Sequence, residues 1–309
     1  MIDVAIKRLS PSLAAFADEV GPTGPVAVAG RRTRWDLGGE STEGTRLVAA
    51  PAGIVDYQPQ EMTIRLGAGT TVAELNQVLA DAGQRCALPD RGGTVGGALA
   101  VGENEFDLLG RGRVREAALQ IDYVSAEGRV VTAGGPTVKN VSGFNLPKAL
   151  VGSLGTLGLI GEAILRTNPA PASSRWLRAE GADPLTVFEA LLRPAAVLFD
   201  GPSVWVKLEG HAVDVDAETN VLTALATFEE VDGPPPLPPH RWSLTPAEVL
   251  RPASVAGLGE TFVAAIGVGL AFADRPQPAK PIDLALQRVA DRMKQLFDPS
   301  GRLNPGRRP

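Results

Sequence analysis

Three glycine-rich segments hold the residues whose types and spacing could bind a cofactor. The segments are residues 26–34, 88–100 and 139–160, each at the end of an apolar run. Because glycine has no Cβ, such segments let backbone N–H groups approach a diphosphate or a flat ring closely. The hydroxyl groups of Thr33, Thr94 and Ser153 can add hydrogen bonds. One glycine pair alone usually makes a tight turn, but three segments together predict an extended ligand.

The glycine spacing argues against two common phosphate-binding motifs. A P-loop requires Gly-x-x-x-x-Gly-Lys-Ser/Thr, and the sequence has no such string. A Rossmann fingerprint requires Gly-x-Gly-x-x-Gly between a strand and a helix, with an acidic residue about twenty positions later. The run from Gly92 to Gly97 has glycines at other spacings and no βαβ pattern beside it. A nicotinamide cofactor is therefore the weaker interpretation.

Catalytic and metal-ligating side chains are scarce. The sequence has two histidines, His211 and His240, and one cysteine, Cys86. One cysteine cannot build an iron–sulfur cluster or an internal disulfide, and we expect no metal site. Either histidine could serve as a general base by its residue type, but a lone histidine is more often structural or solvated. The sequence therefore identifies no catalytic residue.

Four basic residues near the glycine-rich segments have more than one interpretation. Lys139 could place a positive charge near a cofactor or a carboxylate, or it could be solvated like most lysines. Arg111, Arg113 and Arg115 alternate along the chain, so they would share one face if this stretch were extended. They would then contact a cofactor, a partner or only water.

Length and composition predict a globular protein with a sizeable core. The chain has 309 residues, a formal net charge of −5, 44% hydrophobic residues and 21% charged residues. The acidic balance argues against a nucleic-acid partner, and no run of about 18 apolar residues predicts a membrane span. The first residues lack the apolar core of a signal peptide. We expect a cytoplasmic protein, or one that reaches a membrane through a partner.

Apolar periodicity predicts an α+β order of elements that leaves the glycine-rich segments in turns. Thr71 and Glu74 form a capping box at the start of one helix. The predicted helices are 11–20, 72–82, 183–192, 217–227 and a last one with Ile282, Leu286, Val289, Met293 and Leu296 on one face. The predicted strands are 25–29, 62–66, 117–124, 129–132, 159–167, 203–209 and 261–272. A boundary is expected at the proline-containing stretch 168–171.

Residues 1–168 resemble the FAD-binding domain shared by vanillyl-alcohol oxidase, p-cresol methylhydroxylase (PCMH) and the glycolate and D-lactate dehydrogenases. The most specific motif in that family is Lys-Asn-Val-x-Gly-Tyr-Asp-Leu, followed by Gly-Ser-x-Gly-x-Leu-Gly. The chain matches it from Lys139 to Gly158, except that Phe144 and Asn145 replace tyrosine and aspartate. Residues 53–61 and the tail 297–307 resemble the smaller FAD-binding subunit of bacterial glycolate oxidase.

The resemblance implies an α+β fold in three parts. Residues 1–168 would form a two-subdomain PCMH-type FAD-binding domain, and residues 169–281 a reduced α+β cap on the substrate side. Residues 282–309 would form a C-terminal helix and tail that return to the FAD-binding domain.

The resemblance also implies which residues hold FAD. The first segment and the loop 92–97 would bind the pyrophosphate, and the third segment would line the adenosine and the flavin ring. The candidate residues are Gly30, Arg31, Arg32, Thr33, Arg34, Pro89, Gly92, Gly93, Thr94, Val95, Gly96, Gly97, Lys139, Asn140, Gly143, Phe144, Gly152, Ser153, Gly155, Gly158 and Ile160.

We expect FAD to be held without a covalent bond. Covalent attachment in this fold uses a histidine, cysteine or tyrosine near the flavin ring, and residues 1–168 contain no histidine. Cys86 precedes the pyrophosphate loop, and Tyr57 and Tyr123 lie in segments without an attachment signature.

The resemblance implies a flavin subunit of a 2-hydroxy-acid dehydrogenase. Its substrate would be a small 2-hydroxy acid, and its partners a larger FAD subunit and an iron–sulfur subunit. Two alternatives stay open: a self-sufficient FAD oxidoreductase for another small alcohol or acid, and a scaffold subunit that has lost flavin. The chain has no histidine pair like the one that binds a metal in the larger subunits, so we expect poor turnover of glycolate or D-lactate by the chain alone.

Arg31 and Arg32 stand where relatives usually have glycines. A left-handed backbone would cost a non-glycine residue about 1 kcal/mol or more. We therefore expect the loop to keep negative φ angles and to use a guanidinium group to neutralise the diphosphate. The alternative is a loop that stays away from the diphosphate, so that FAD binds weakly.

Overall fold

The computed structural model describes residues 9–136, 145–249, 257–279, 281 and 283–308. The chain divides into two compact units. Unit 1 comprises Met1–Asn104, Arg113–Pro169 and Ile282–Pro309, and unit 2 comprises Glu105–Gly112 and Ala170–Pro281.

The described residues form short helices and mostly antiparallel strands. The helices are α1 (Pro11–Val20), α2 (Val72–Asp81), α3 (Val95–Val101), α4 (Leu108–Arg111), α5 (Val114–Ala117), α6 (Leu146–Leu150), α7 (Pro184–Ala190), α8 (Ala212–Leu225), α9 (Pro246–Val249) and α10 (Leu284–Phe297). The strands are β1 (Val26–Val28), β2 (Arg46–Val48), β3 (Ile54–Gln58), β4 (Thr63–Gly67), β5 (Gln84–Arg85), β6 (Ala118–Val124), β7 (Val130–Gly134), β8 (Leu159–Arg166), β9 (Asn168–Pro169), β10 (Ser173–Glu180), β11 (Ala196–Phe199), β12 (Ser203–Gly210), β13 (Glu229–Val231), β14 (His240–Ser243), β15 (Phe262–Ala265) and β16 (Leu270–Ala273).

The main sheet of unit 1 is antiparallel and has the strand order β3-β4-β8-β6-β7. In β4 the buried Ile64 and Leu66 alternate with less buried neighbours, as the sequence pattern predicts. Helix α2 begins with the predicted capping box, in which Thr71 and Glu74 bond reciprocally. Its buried Val72, Leu75 and Leu79 join the same core as the sheet. This core fixes the strand and helix ends from which the glycine-rich loops extend.

A smaller subdomain of unit 1 is completed by the C-terminal tail. Strands β1 and β2 are parallel, and Leu303 forms a further parallel bridge with Val26. The Val26 N–H donates to the Arg302 carbonyl oxygen at 2.9 Å, and the Asn304 N–H donates to the Val26 carbonyl oxygen at 2.8 Å. The tail therefore lies beside β1 as an added strand, more than 270 residues away in the chain.

Unit 2 contains an antiparallel sheet in the order β13-β10-β12-β11-β15-β16-β14. The segment Glu105–Gly112 belongs to this unit. The rings of Phe106 and Trp176 meet edge to face at 6.1 Å, and Lys207 Nζ lies 3.2 Å from the buried carboxylate of Asp107. Through these contacts the segment packs against strands of unit 2 that follow it in the chain by about seventy to one hundred residues.

Two sequence predictions about local structure are wrong. The stretch 261–272 is not one strand, because Gly267 and Gly269, with φ angles of 75° and 79°, form a turn between β15 and β16. The arginines at 111, 113 and 115 do not share an extended face, because this stretch forms α4 and α5. Within the residues that the structure describes, no helix is both long and apolar enough to span a membrane.

Candidate functional site

Two adjoining cavities in unit 1 lie where the glycine-rich segments meet. The first, the arginine cavity, is lined by the loop 30–35 together with Pro89, Gly93 and residues of α3. The second, the glycine cavity, has a volume of about 400 Å³ and extends along Ala50, Gly69 and Ile160. Gly30, Thr94 and Asn304 line both, so the two form one continuous cleft.

Most of the predicted site residues that the structure describes line this cleft. Those in the arginine cavity are Gly30, Arg31, Arg32, Thr33, Arg34, Pro89, Gly93, Thr94 and Gly97. Those in the glycine cavity are Gly30, Arg31, Thr94, Gly96, Gly97, Gly155 and Ile160. Lys139, Asn140, Gly143 and Phe144 lie outside the described residues.

Five predicted residues do not line either cavity. They are Gly92, Val95, Gly152, Ser153 and Gly158. The Ser153 hydroxyl is buried and donates to the Leu150 carbonyl oxygen at 2.8 Å, so it closes a turn. Val95 is fully buried in the core. A Cβ at Gly158 would lie 2.8 Å from Cε2 of Tyr123, so this glycine provides space for a core ring.

The first two glycine-rich segments approach each other closely. A Cβ at Gly30 would lie 2.7 Å from the Thr94 hydroxyl oxygen, and one at Gly96 would lie 2.8 Å from the Ala68 Cβ. A side chain at Gly30 would push the two segments apart, and one at Gly96 would push α3 away from Ala68, because real Cβ atoms do not come this close. These glycines therefore keep the walls of the cleft together.

The arginine cavity carries an excess of positive charge. Arg31, Arg32, Arg34, Arg91 and Arg307 line it. Glu103 is its one lining carboxylate, and it pairs with both Arg34 and Arg91. An excess of guanidinium groups at a cavity wall suits an anionic ligand such as a diphosphate.

Arg31 has a carboxylate neighbour at the edge of the glycine cavity. Hydrogen bonds from the Thr71 N–H and hydroxyl lower the pKa of Glu74, and the charge of Arg31 lowers it further. Glu74 is thus held in its charged form by the helix cap that positions it.

The expectation that the arginine loop keeps negative φ angles is wrong at Arg32. Its φ angle is 57°, in the left-handed region, whereas Arg31 is not in that region. The Arg32 guanidinium carbon lies 5.2 Å from the centroid of the Trp35 ring. This cation–π contact, of about 0.5–1 kcal/mol, offsets part of the backbone cost of about 1–2 kcal/mol.

The site also contains residues that the sequence analysis did not assign to it. They are Trp35, Leu37, Arg91, Glu103, Leu154, Asn304 and Arg307, among others. The signal for Asn304 and Arg307 was present, because the tail 297–307 resembles the family. Nothing local identified Trp35, because a tryptophan after an arginine-rich turn has no chemical signature.

Comparison with known proteins relates the walls of the cleft to a known type of domain. A model of the FAD binding domain matches residues 19–134. This part of the chain is therefore similar to an FAD-binding domain. This domain contributes the first two glycine-rich segments, and with them most of the described wall of the cleft.

Several known proteins are similar to this chain in sequence. The chain is 31% identical over 224 residues to glycolate oxidase subunit GlcE of Escherichia coli, an alignment that covers 68% of this chain and 61% of that protein. It is 39% identical over 109 residues to D-lactate dehydrogenase of Archaeoglobus fulgidus (33% and 24% coverage). It is 32% identical over 151 residues to glycolate oxidase subunit GlcD of Bacillus subtilis (46% and 31% coverage). The chain thus spans about three fifths of the first relative and a third or less of the other two.

The fold is similar to that of alkyldihydroxyacetonephosphate synthase. The TM-score is 0.65 at 13% sequence identity, over 95% of this chain and 73% of that chain. The likeness covers both units of the chain. The expected α+β fold of the PCMH type is therefore confirmed.

The residues of the cleft fit FAD. The Asn304 side chain donates to the Leu154 carbonyl oxygen. Its buried Oδ1 has no hydrogen-bond partner among the described residues. An orphaned acceptor at the junction of both cavities suits the hydroxyl and N–H donors of FAD, because a buried acceptor without a donor is costly. The guanidinium groups of the arginine cavity suit its diphosphate.

The residue types that attach flavin covalently lie elsewhere among the described residues of unit 1. Cys86 is fully buried in the core, and the Tyr57 hydroxyl donates to Gln84 at 3.0 Å. Tyr123 packs against Gly158. None of the three lines either cavity, which agrees with non-covalent FAD.

Proposed function

We propose that this chain is the FAD-binding subunit of a glycolate-type 2-hydroxy-acid dehydrogenase complex. The observation that carries the proposal is the 31% identity to glycolate oxidase subunit GlcE over 224 residues, which extends well beyond the FAD-binding domain. The other relatives act on lactate or belong to glycolate oxidase by name. A small 2-hydroxy acid is therefore the proposed substrate class.

Residues of the chain have distinct roles in this proposal. Arg31 and Arg32 neutralise the diphosphate, and Asn304 accepts a hydrogen bond from the cofactor. The described residues of the third segment, such as Gly155 and Ile160, bind through main-chain groups. Bound FAD supplies a two-electron acceptor for oxidation at the substrate α-carbon. The cofactor is also lined by Lys139, Asn140, Gly143 and Phe144 in this proposal.

The division of labour along the chain is also proposed. Residues 1–168 bind FAD, residues 169–281 serve the substrate side, and 282–309 return to the FAD-binding domain. A larger FAD subunit and an iron–sulfur subunit receive the electrons, because Cys86 is the only cysteine and cannot support a cluster.

The visible spectrum of the purified chain is the first experiment. We expect flavin absorbance near equimolar with protein, after reconstitution with FAD if necessary. Dye reduction with glycolate and D-lactate is then measured for the chain alone and for the chain co-expressed with the two other subunits. We expect turnover only in the complex.

Two results would replace the proposal by an alternative. Robust turnover by the isolated chain, at rates on the order of 1–1000 per second, would identify a self-sufficient oxidoreductase. A colourless chain that does not bind added FAD would identify a scaffold subunit.

A further inference from the structure

Helix α10 carries a row of apolar side chains that the rest of the chain leaves exposed. Leu286, Val289 and Leu296 are 69%, 63% and 69% exposed. Their spacing of three and seven residues places them on one side of the helix. Single surface leucines are common, but a contiguous row along one helix is typical of a contact surface.

The C-terminal half of α10 is anchored to unit 1, so the orientation of the helix is fixed. Met293 and Phe297 continue the apolar side of the helix beyond Leu286, and they are partly buried against the core. Lys294 Nζ donates to the carbonyl oxygens of Thr156 and Leu303, each at 2.9 Å. The helix therefore cannot rotate to bury Val289 and Leu296 without losing these contacts.

Two arginines border the exposed row. Arg292 lies three residues after Val289 and four before Leu296, which makes it a neighbour of both on the helix surface. Arg288 lies one turn earlier on the same border. Both are exposed, and neither side chain makes an ion pair or hydrogen bond within the part of the chain that the structure describes.

We propose that this surface, defined by Leu286, Val289, Leu296, Arg288 and Arg292 and called the α10 face, docks another subunit of the enzyme. The partner presents an apolar surface bordered by carboxylates, because unpaired guanidinium groups beside an apolar row favour that complement. The inference rests on the proposed function, in which the chain works as one subunit of a complex.

The charges disfavour a second copy of this chain as the occupant. A symmetric pairing of two α10 faces brings the same residues of both copies together at the two-fold axis. Arg292, near the middle of the face, would then lie beside its own counterpart, and like charges repel.

A membrane surface is also a weaker match. A helix that lies in a membrane surface has a wide apolar face and a basic polar face. Here the exposed apolar row is narrow, Asp291 lies among the polar residues, and the chain has a net charge of −5. An anionic lipid surface opposes this net charge over a whole side of the protein, whereas the acidic border of a partner meets only the two arginines nearby.

Co-purification of the full chain with the larger FAD subunit and the iron–sulfur subunit tests the α10 face. The larger subunit carries an affinity tag, and the fraction of this chain that co-elutes is measured. We expect the triple variant Leu286→Gln, Val289→Gln, Leu296→Gln and the double variant Arg288→Glu, Arg292→Glu each to reduce co-elution at least about tenfold. Both variants keep the flavin content and melting temperature of the parent.

Leu284→Gln is the matched control. Leu284 is on the same helix and is 66% exposed, but it precedes Leu286 by two residues and so lies on a different side. We expect its co-elution to equal that of the parent.

Four results would overturn the docking proposal. Co-elution unchanged in both variants, or a parent chain that never co-elutes, would remove it. A parent dimer in sedimentation velocity that the triple variant dissolves would assign the face to a second copy. Binding to phosphatidylglycerol vesicles that the triple variant loses would assign it to a membrane. Failure of the proposed function is distinct, because the complex would then assemble but not reduce dye with glycolate.

Discussion

The guanidinium carbon of Arg307 lies 4.8 Å from the centroid of the Trp35 ring. Arg32 contacts the same ring at 5.2 Å, so one indole joins the first cofactor loop to the C-terminal tail. Arg307 also donates to the Leu37 carbonyl oxygen at 2.6 Å, and the Arg308 N–H donates to the Gly38 carbonyl oxygen at 2.8 Å. The shape of the loop therefore depends on the tail.

Removing the ring should release the loop. We expect Trp35→Ala to weaken FAD binding about tenfold, or ~1.4 kcal/mol, because two cation–π contacts are lost at the cavity wall. Flavin fluorescence titration of the apoprotein measures the affinity. Trp35→Phe keeps an aromatic face and should retain most of it. Equal affinity in the parent and in Trp35→Ala would show that the indole plays no part in positioning the loop.

Substitutions at Arg32 should separate the backbone cost from the side-chain contact. Arg32→Ala loses the contact with Trp35 and keeps the unfavourable left-handed φ, so we expect a loss of about 1 kcal/mol in the free energy of unfolding. Arg32→Gly relieves the backbone cost, and its free energy of unfolding should lie within about 0.5 kcal/mol of that of the parent. Chemical denaturation measures both. An alanine variant as stable as the glycine variant would contradict the left-handed conformation.

Neutralising the two loop arginines should weaken FAD binding. We expect Arg31→Ala with Arg32→Ala to lower the affinity by more than about tenfold, and the parent affinity to fall with added salt. Calorimetric titration with FAD at two salt concentrations checks both effects. If the double variant binds FAD as tightly as the parent, the two arginines face solvent and do not contact the diphosphate.

Asn304 should matter for the cofactor more than for the fold. Its φ angle of 44° is one that asparagine and aspartate tolerate, so Asn304→Asp preserves the backbone. The variant cannot donate to Leu154 and adds a negative charge to the cleft, and we expect it to bind FAD at least about tenfold more weakly. Asn220→Asp, on the exposed surface of α8, is the control and should bind like the parent.

Acid should detach the tail through Asp298. Burial alone would raise the pKa of this carboxyl group, but hydrogen bonds from Lys294, the Leu303 N–H and Ser300 outweigh burial and lower it. A lowered folded pKa means that the stabilisation is complete above the unfolded value of about 3.9 and is lost as the pH falls through the folded value.

The Asp298→Asn variant tests this linkage. We expect its free energy of unfolding to be about 2 kcal/mol lower than that of the parent near pH 7. Between about pH 5 and pH 2, the free energy of unfolding of the variant should fall less than that of the parent. Urea unfolding across this range, with flavin release as a second signal, measures the difference. Parallel pH profiles for variant and parent would assign the acid sensitivity to other carboxylates.

Local signals in the sequence determined a large part of this protein. The capping box of Thr71 and Glu74 is local, because it involves residues three positions apart. The alternation of Ile64 and Leu66 is also local, because successive residues of a strand point to opposite faces. The glycine segments indicated an extended ligand for the same reason, since a glycine turn carries its conformational preference wherever it folds. The family resemblance of the motif from Lys139 to Gly158 then indicated FAD.

Only the tertiary structure decided which residues surround the cleft. Arg307 and Asn304 reach it because the tail adds a strand beside Val26, a pairing between segments far apart in the chain that no periodicity encodes. Arg32 has a left-handed φ in the folded loop, where its contact with Trp35 offsets part of the cost of that conformation. The apolar row of α10 shows the same limit, because periodicity reveals that Leu286, Val289 and Leu296 share a face but packing decides whether that face is covered.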